Sequence, residues 1–460
     1  MQPVKILILL QCFVISVPAR AQFLQDSPEL ERLAEANEIV AEIESVSGPY
    51  EPALLEPLDE IAQTLMQLGE HAQAHAILDR AFQIARIDGG LYTPNQLPYL
   101  HRKIDNFANW GDWERVQELT DHLSWLYINK ELRPFSVVIE GFTHIGQAHT
   151  RGIYEDVEDN REFHFRVAEL AFRNSVAGAG ALYGETDPRL VPLLYNRLIH
   201  NYLQAAAVRE GTIAGNGLRR VATGQDYKVS RWAKLNSYYV DGQNLLHRIR
   251  EIYLAQAEPD LEAAAIAQLY LADWHVLFDK RESAMKCYGE AHRSMLSAAV
   301  DAARVDQIFS TPVILPEREF YASVEQTLLA RSGELASSAN AASPLLYNER
   351  VRLPFDEHLG LIAHVDDMEA AEDSLSASDV ARVSVFVKGL EEVITRESVR
   401  RIVQVGVAQS IDILELSEDA PLNALELEEK ARRLRFRPIL NEGIPQHWGG
   451  VLRYELVGGY

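Results

Sequence analysis

Apolar side chains recur every three or four residues over most of the chain, which is the spacing of helices that bury one face. Between residues 55 and 85 two such sets are separated by Gly69, where the chain can turn. The apolar positions are Leu58, Ile61, Ala62, Leu65 and Leu68 before the glycine, and Ala74, Leu78, Ala81, Phe82 and Ala85 after it. Small alanines on either side of Leu78 allow close packing of the second helix on the first. The pattern therefore predicts a helix pair.

The same pattern returns further along the chain. One copy follows Gly111 and covers residues 113–123. Another covers residues 168–175 and is followed by a helix at 195–202, and a third covers residues 284–291 and is preceded by a helix at 269–278. In the copy at 284–291, Asp279 stands at the turn position that glycine holds in the first two. We expect a mainly α fold, with an α-solenoid of helix pairs over residues 22–310. An irregular bundle of stacked helix pairs is the alternative and would use the same core residues.

The last 80 residues change character. Val383, Val385 and Val387 alternate with polar neighbours, residues 402–407 and 411–416 are β-branched or apolar, and residues 451–456 alternate again. Residues 422–434 between these strands have helical spacing. The pattern predicts a small α+β C-terminal domain over residues 380–460.

Residues 311–379 separate these two regions. Several prolines interrupt the periodicity, a short helix is expected at 319–336, and residues 353–381 contain acidic side chains but neither lysine nor arginine. We expect an acidic linker with a short helix.

The N-terminus and the charge balance bear on compartment and partners. Residues 1–21 combine Lys5, a 12-residue apolar run, Pro18 and an A-x-A site at 19–21, as in a secretory signal peptide. This favours export to the periplasm. Retention of the run as a membrane anchor is the alternative, and membrane contact is expected only in that case. The chain carries 44 Lys and Arg against 67 Asp and Glu, a net charge of −23, which disfavours nucleic acid as a partner.

Two family resemblances follow from these residues. The helix pairs with their small residues and turn glycines resemble the tetratricopeptide repeat in its longer, kinesin-light-chain-like form. The C-terminal segment resembles the C-terminal domain of TonB-type proteins, in which a helix runs into an F-(R/K)-P element, a turn and a closing strand. The matching residues are Arg435, Phe436, Arg437, Pro438, Gly443, Pro445 and the strand at 452–456.

The resemblances imply where a partner would bind. In tetratricopeptide arrays the first helix of each pair lines the binding groove, and its inward polar positions here are Asp59, Gln63, His101, Asp105, Asn109, Asn196 and His200. Arg435 and Arg437 belong to a basic cluster that could hold an acidic peptide. Arg453 lies on the terminal strand, whose edge is expected to pair with an extended peptide or with a second copy of the chain.

The sequence does not favour an enzyme, because it lacks the common catalytic motifs. The chain lacks the G-x-S-x-G, H-E-x-x-H, Walker and C-x-x-C constellations, and no cofactor is expected. His71 and His75 lack a third ligand nearby, and the group of His358, His364, Asp366 and Asp367 lacks the spacing of a metal site, so no metal is expected either.

The sequence thus favours an exported interaction protein that binds a protein or peptide of the cell envelope. A membrane-tethered component of TonB-type transport and an envelope enzyme with an unrecognised site remain as alternatives.

Overall fold

The chain divides into two compact units, one up to Trp110 and one from Gly111 onward. A computed structural model describes residues 28–130, 132–211, 217–220, 226–331, 361–367, 379–387, 406–417, 423–441 and 444–456. The predicted signal peptide, residues 1–21, lies outside these ranges. Within them, no helix is both long enough and apolar enough to cross a lipid bilayer.

The first unit is made of helices. They are α1 (Pro28–Ser47), α2 (Leu55–Gln67), α3 (His71–Gly89) and α4 (Leu97–Trp110), and short 3₁₀ turns precede α2 and α4. Its core contains the residues that the sequence pattern selected, including Leu58 and Ile61 of α2 and Leu78 and Ala81 of α3. Gly69 has a φ of +76° and carries the chain from α2 into α3. The predicted helix pair is confirmed.

The second unit continues with helix pairs. Its helices are α5 (Trp113–Asn129), α6 (Ser136–Glu155), α7 (Arg161–Tyr183), α8 (Val191–Glu210), α9 (Arg231–Leu254), α10 (Leu261–Leu277), α11 (Arg281–Ser297), α12 (Ala302–Ser310) and α13 (Val324–Arg331). Consecutive helices from α5 to α11 pack on one another. Asp279, at the predicted turn between α10 and α11, has a φ of +57° and replaces the glycine of the other turns.

Helices α8 and α10 lie at the centre of the second unit. Nearly every side chain of these two helices is buried, including the polar ones, so neither helix has a solvent-facing stripe. Their apolar residues form one cluster with those of α7, α9, α11 and α12. A short hairpin of β1 (Gly217–Arg220) and β2 (Asp226–Val229) stands between α8 and α9.

The C-terminal region forms an antiparallel sheet covered by a helix, as predicted. The strand order is β4 (Leu361–Asp367), β10 (Trp448–Leu456), β5 (Asp379–Val387) and β6 (Ala408–Leu416). Val383, Val385 and Val387 are buried, whereas Phe386 between them is 39% exposed. Helix α14 (Ala424–Arg433) begins with a capping box formed by Asn423 and Glu426, and Leu427 and Ala431 pack on the sheet. The mainly α fold with a small α+β C-terminal part is confirmed.

Two-residue strands tie this region to the helices. They are β3 (Ile314–Leu315), β7 (Arg435–Phe436), β8 (Leu440–Asn441) and β9 (Ile444–Pro445). Strand β3 pairs antiparallel with β7, so the segment that follows α12 is joined to the chain that leaves α14.

The structure corrects the description of residues 311–379 as an acidic linker for the parts that it describes, while residues 332–360 and 368–378 lie outside the described ranges. Residues 312–317 are mostly buried within the second unit, and residues 361–367 supply strand β4 of the C-terminal sheet. The short helix predicted at 319–336 is present as α13. Prolines interrupt helical periodicity in an irregular, packed segment as effectively as in a linker, which is why the sequence pattern misled.

Candidate functional site

Helices α8 and α10 hold an irregular segment of the same chain. We call residues 312–324 the bound segment. The hydroxyl of Tyr195 on α8 donates to the main-chain carbonyl of Glu317 at 2.6 Å, and that of Tyr270 on α10 donates to the carbonyl of Glu319 at 2.8 Å. Burial, reinforced by the charge of Glu317, raises the pKa of both tyrosines well above the ordinary value, so both hydroxyls keep their protons and remain donors.

An aromatic side chain anchors the bound segment. Phe320 packs among three tyrosines, with ring centroids 5.0 Å from Tyr270, 5.9 Å from Tyr253 and 6.2 Å from Tyr195. At the end of the segment, the main-chain N–H of Val324 donates to the Glu262 carboxylate at 2.8 Å. Helices α8, α9 and α10 thus recognise the segment through its backbone and through one aromatic ring.

A buried ion cluster fixes the middle of the bound segment. Arg437 donates from Nε to Asp273 Oδ1 at 2.9 Å and from Nη2 to Asp273 Oδ2 and Glu317 Oε1, both at 2.5 Å. Tyr288 donates its hydroxyl to Asp273 Oδ1 at 2.7 Å. Burial alone would lower the pKa of Arg437, but the charges of Asp273 and Glu317 outweigh it and raise the pKa above its ordinary value. The cluster joins α10, the bound segment and the element that follows α14.

These contacts correct the assignment of Arg435 and Arg437 to partner binding. Arg437 is 1% exposed and is paired inside the chain. Arg435 is also buried, and its Nη1 lies 3.3 Å from Asp279 Oδ1. Because both guanidinium groups pair with carboxylates of the helical region, they attach the C-terminal region to the helices. A partner cannot reach them in this conformation.

The predicted groove positions of the first unit lie on a half-buried polar surface of α2 and α4. Gln63 donates to Asp59 Oδ2 at 2.6 Å, and Arg102 donates to Asp59 Oδ1 at 3.4 Å. His101, Asp105 and Asn109 are partly exposed on α4. These five predicted positions are therefore accessible within their unit, and their role in binding a partner stays a prediction.

The two predicted groove positions on α8 are not accessible. Asn196 is 2% exposed and His200 is fully buried, with Nε2 of His200 3.0 Å from the carbonyl oxygen of Phe165 on α7. Burial lowers the pKa of His200 to about 4, so the ring is neutral at pH 7. The assignment of both residues to partner contact is wrong, because α8 is enclosed on all sides instead of facing a groove.

The expected pairing through the C-terminal strand is also corrected. Strand β10, which carries Arg453, is hydrogen-bonded to β4 on one side and to β5 on the other. Both sides of its backbone are therefore occupied, and it offers no edge to a peptide or to a second copy. The strand that closes the chain lies inside the sheet because residues 361–367 supply a further strand beyond it.

Sequence reasoning missed the tyrosines and carboxylates that form the site. Tyr195 and Tyr270 occupy apolar positions of helical patterns, where nothing distinguishes a hydroxyl donor from a core ring. Asp273 did carry a signal, since it is the one acidic residue in the largely apolar run 263–277. A carboxylate within such a run requires a buried cation, and the chain supplies it as Arg437.

Potential metal ligands do not converge in the described part of the chain, where no group of three or more His, Cys, Asp or Glu side chains could hold an ion. His71 is engaged with Asn106 at 2.9 Å, and His75 with Asp79 at 3.3 Å. His364, Asp366 and Asp367 lie on β4, while His358 lies outside the described ranges.

Comparison with known proteins finds a likeness among solved structures. No family model matches the chain, and no curated protein is similar to it. Among solved structures, the chain is similar to BtubC (BKLC) from P. vanneervenii, with 12% sequence identity and a TM-score of 0.35 over 60% of this chain and 93% of BtubC.

Proposed function

We propose that this protein is an exported interaction scaffold whose helix pairs recognise extended peptide segments of a partner in the cell envelope. One observation carries the proposal: α8, α9 and α10 already hold a non-helical segment of their own chain through its main-chain carbonyls and one aromatic ring. Tyr195 and Tyr270 bond to main-chain carbonyls, which every peptide has, and the ring of Phe320 fills a pocket that selects for an aromatic residue.

A peptide supplied in trans tests this recognition. In the Phe320→Ala variant the bound segment loses its anchor, so a labelled synthetic peptide of residues 312–324 should bind to the vacated surface. The wild-type chain should bind the peptide at least 10-fold more weakly, because its tethered segment competes at an effective concentration on the order of mM. Fluorescence anisotropy measures both affinities, and circular dichroism checks that the variant keeps its helices.

Two matched controls assign the binding to the surface described. Tyr195→Phe and Tyr270→Phe, added together to the Phe320→Ala variant, remove two hydroxyl donors but keep both rings. At about 1 kcal/mol for each hydrogen bond, they should weaken binding of the peptide about 30-fold. A peptide with alanine in place of its phenylalanine should bind poorly. Equal binding of the two peptides, or equal binding by the wild type and the Phe320→Ala variant, would refute the proposal.

Export is the second part of the proposal, and it is supported by the apolar run and the A-x-A site of residues 1–21. Mass spectrometry of the exported protein should find Gln22 as its first residue. An Ala19→Lys variant should escape cleavage and remain with the membrane fraction. Detection of the 1–20 region on the wild-type protein would instead favour the membrane-tethered alternative.

The likeness of residues 380–460 to the TonB C-terminal domain stays part of the proposal. The succession of α14, the R-F-R-P element at 435–438 and strand β10 supports it. Since Arg435 and Arg437 pair with Asp279 and Asp273 inside the chain, we assign this domain the role of holding the bound segment against the helices. Transport itself is not part of the proposed function.

A further inference from the structure

A continuous chain of hydrogen bonds runs through the buried contact of α5, α6 and α7. It links Thr120 Oγ1 to His149 Nε2 at 3.0 Å, His149 Nδ1 to His164 Nδ1 at 2.9 Å, and His164 Nε2 to Asp156 Oδ2 at 2.9 Å. Both imidazole rings are buried. Neither the peptide-binding surface nor the ion cluster of Arg437 uses these residues.

Asp156 sets the positions of the protons in this series of hydrogen bonds. Asp156 accepts the N–H of Val157 at 2.7 Å and the amide of Asn160 at 2.8 Å. Although burial acts to raise the pKa of Asp156, the hydrogen bonds from His164, Asn160 and Val157 hold it below its ordinary value, so this group is a carboxylate. Nε2 of His164 must therefore donate to it, which leaves Nδ1 of His164 as an acceptor.

The next proton follows in the same way. Since Nδ1 of His164 accepts, Nδ1 of His149 donates, and Nε2 of the neutral His149 ring is left as an acceptor. The hydroxyl of Thr120 lies 3.0 Å from this nitrogen and also 3.0 Å from the main-chain carbonyl of Gln117, so its one proton is shared between two acceptors. With both rings neutral, each of the two bonds from His149 to His164 and from His164 to Asp156 therefore has the one proton that it needs.

An added proton meets an unfavourable environment. Burial lowers the pKa of His164, and the hydrogen bond and charge of Asp156, which act to raise it, offset this only in part. Helix α5 contributes the neutral side chains of Trp113 and Thr120, and α7 that of Phe163. Burial, reinforced by His164, lowers the pKa of His149 to about 3. The ring of His164 packs closely on the backbone of α6, since a Cβ added to Gly152 would lie 2.4 Å from its Cε1.

We propose that Thr120, His149, His164 and Asp156 form a pH-sensitive latch that holds α5, α6 and α7 together when both rings are neutral and releases them in acid. Water that enters between α6 and α7 solvates the protonated rings, whereas the closed contact does not. The open state therefore binds protons that the closed state excludes, and acid shifts the population toward it.

Amide hydrogen exchange of the full chain, corrected for the intrinsic effect of pH, measures this opening. Consider an imidazole that has its ordinary pKa of 6.5 in the open state and stays unprotonated in the closed state. It increases the population of the open state about 30-fold at pH 5.0 relative to neutral pH. Protection in residues 113–183 should fall by at least that factor between pH 7.5 and pH 5.0, since each ring that is protonated only in the open state contributes to the gain. Helices α1 to α3 serve as the internal reference, since His71 and His75 there are only half-buried.

Glutamine substitutions separate the latch from a general effect of acid. The amide of glutamine can donate and accept as each imidazole does, but it does not titrate. His149→Gln should reduce the acid response and the double variant His149→Gln/His164→Gln should abolish it, whereas His292→Gln on the exposed side of α11 should leave it unchanged. Should either latch variant fail to fold, the other still decides the outcome.

Three results would overturn the latch. They are a wild-type response below about 3-fold in residues 113–183, the same response in the double variant as in the wild type, and an equal loss of protection in α1 to α3.

Discussion

Replacing Arg437 with methionine should lower the free energy of unfolding of the second unit by about 3–5 kcal/mol. The guanidinium is 1% exposed and is the counter-charge of both Asp273 and Glu317. Methionine fills much of the volume, but it leaves two buried carboxylates without a cation. Urea unfolding followed by tryptophan fluorescence measures the loss, since Trp274 and Trp448 both lie in the core of this unit.

A second substitution distinguishes lost charge pairing from lost packing. Arg437→Met combined with Asp273→Asn and Glu317→Gln removes all three charges while keeping similar shapes, so it should recover more than half of the lost stability. Arg432→Met is the matched control, because Arg432 is exposed on α14 and its ion pair among the described residues is with Glu428 of the same helix. It should change the stability by less than about 0.5 kcal/mol.

The outcome also bears on the bound segment. Glu317 anchors that segment to Arg437, so Arg437→Met should release it in part and increase binding of the 312–324 peptide in trans. If the variant were as stable as the wild type, or if the triple variant recovered nothing, the ion cluster would not be the link between the C-terminal region and the helices.

The helices could be predicted from the sequence because their signal is local. The spacing of Leu58, Ile61 and Leu65 depends only on the period of the helix and on which face is buried, and both are set within one turn or two. The signal for the turns is local as well. Asp279 stands at the turn position that Gly69 and Gly111 hold in the other helix pairs, and it adopts the same left-handed conformation.

The site could not be predicted in the same way, because its contacts join distant parts of the chain. Arg437 lies 164 residues from Asp273 and 120 residues from Glu317, and nothing near it in sequence marks it as buried. A basic run at the end of a helix has the pattern of a solvated surface. The place of β10 inside the sheet likewise depends on β4, whose first residue lies 87 positions before the first residue of β10.

The errors on α8 have a different cause. The tetratricopeptide resemblance places Asn196 and His200 in a groove, because the first helix of each pair lines the groove in such arrays and these polar residues stand between apolar ones. Helix α8 is enclosed by its neighbours, so its polar side chains find partners inside the protein, as His200 does at the carbonyl of Phe165. The polar residues of α8 recur every three or four positions along the sequence, as they do on a solvent-facing side, so the pattern carried no signal that the helix is enclosed.

Replacing Gly406 with alanine should destabilise the second unit by roughly 3 kcal/mol or more. Gly406 has a φ of +67°, a conformation that costs most residues on the order of 1 kcal/mol. A Cβ at this position would also lie 2.2 Å from the carbonyl oxygen of Phe436 and 3.1 Å from Cγ1 of Val276. The first of these is a main-chain atom in the R-F-R-P element, so relieving the overlap means moving the strand that positions Arg437.

Gly211 provides the control that separates these two costs. It has a φ of +78°, close to that of Gly406, but a Cβ added there meets no atom within 4 Å. Gly211→Ala should therefore show only the conformational cost of about 1 kcal/mol. Because the carbonyl of Gly406 accepts the N–H of Phe436 at 2.8 Å, the clash would also stretch the hydrogen bond that holds this strand. Equal losses in the two variants, by urea unfolding, would mean that the close approach of Gly406 to Phe436 contributes nothing to the attachment of the C-terminal region.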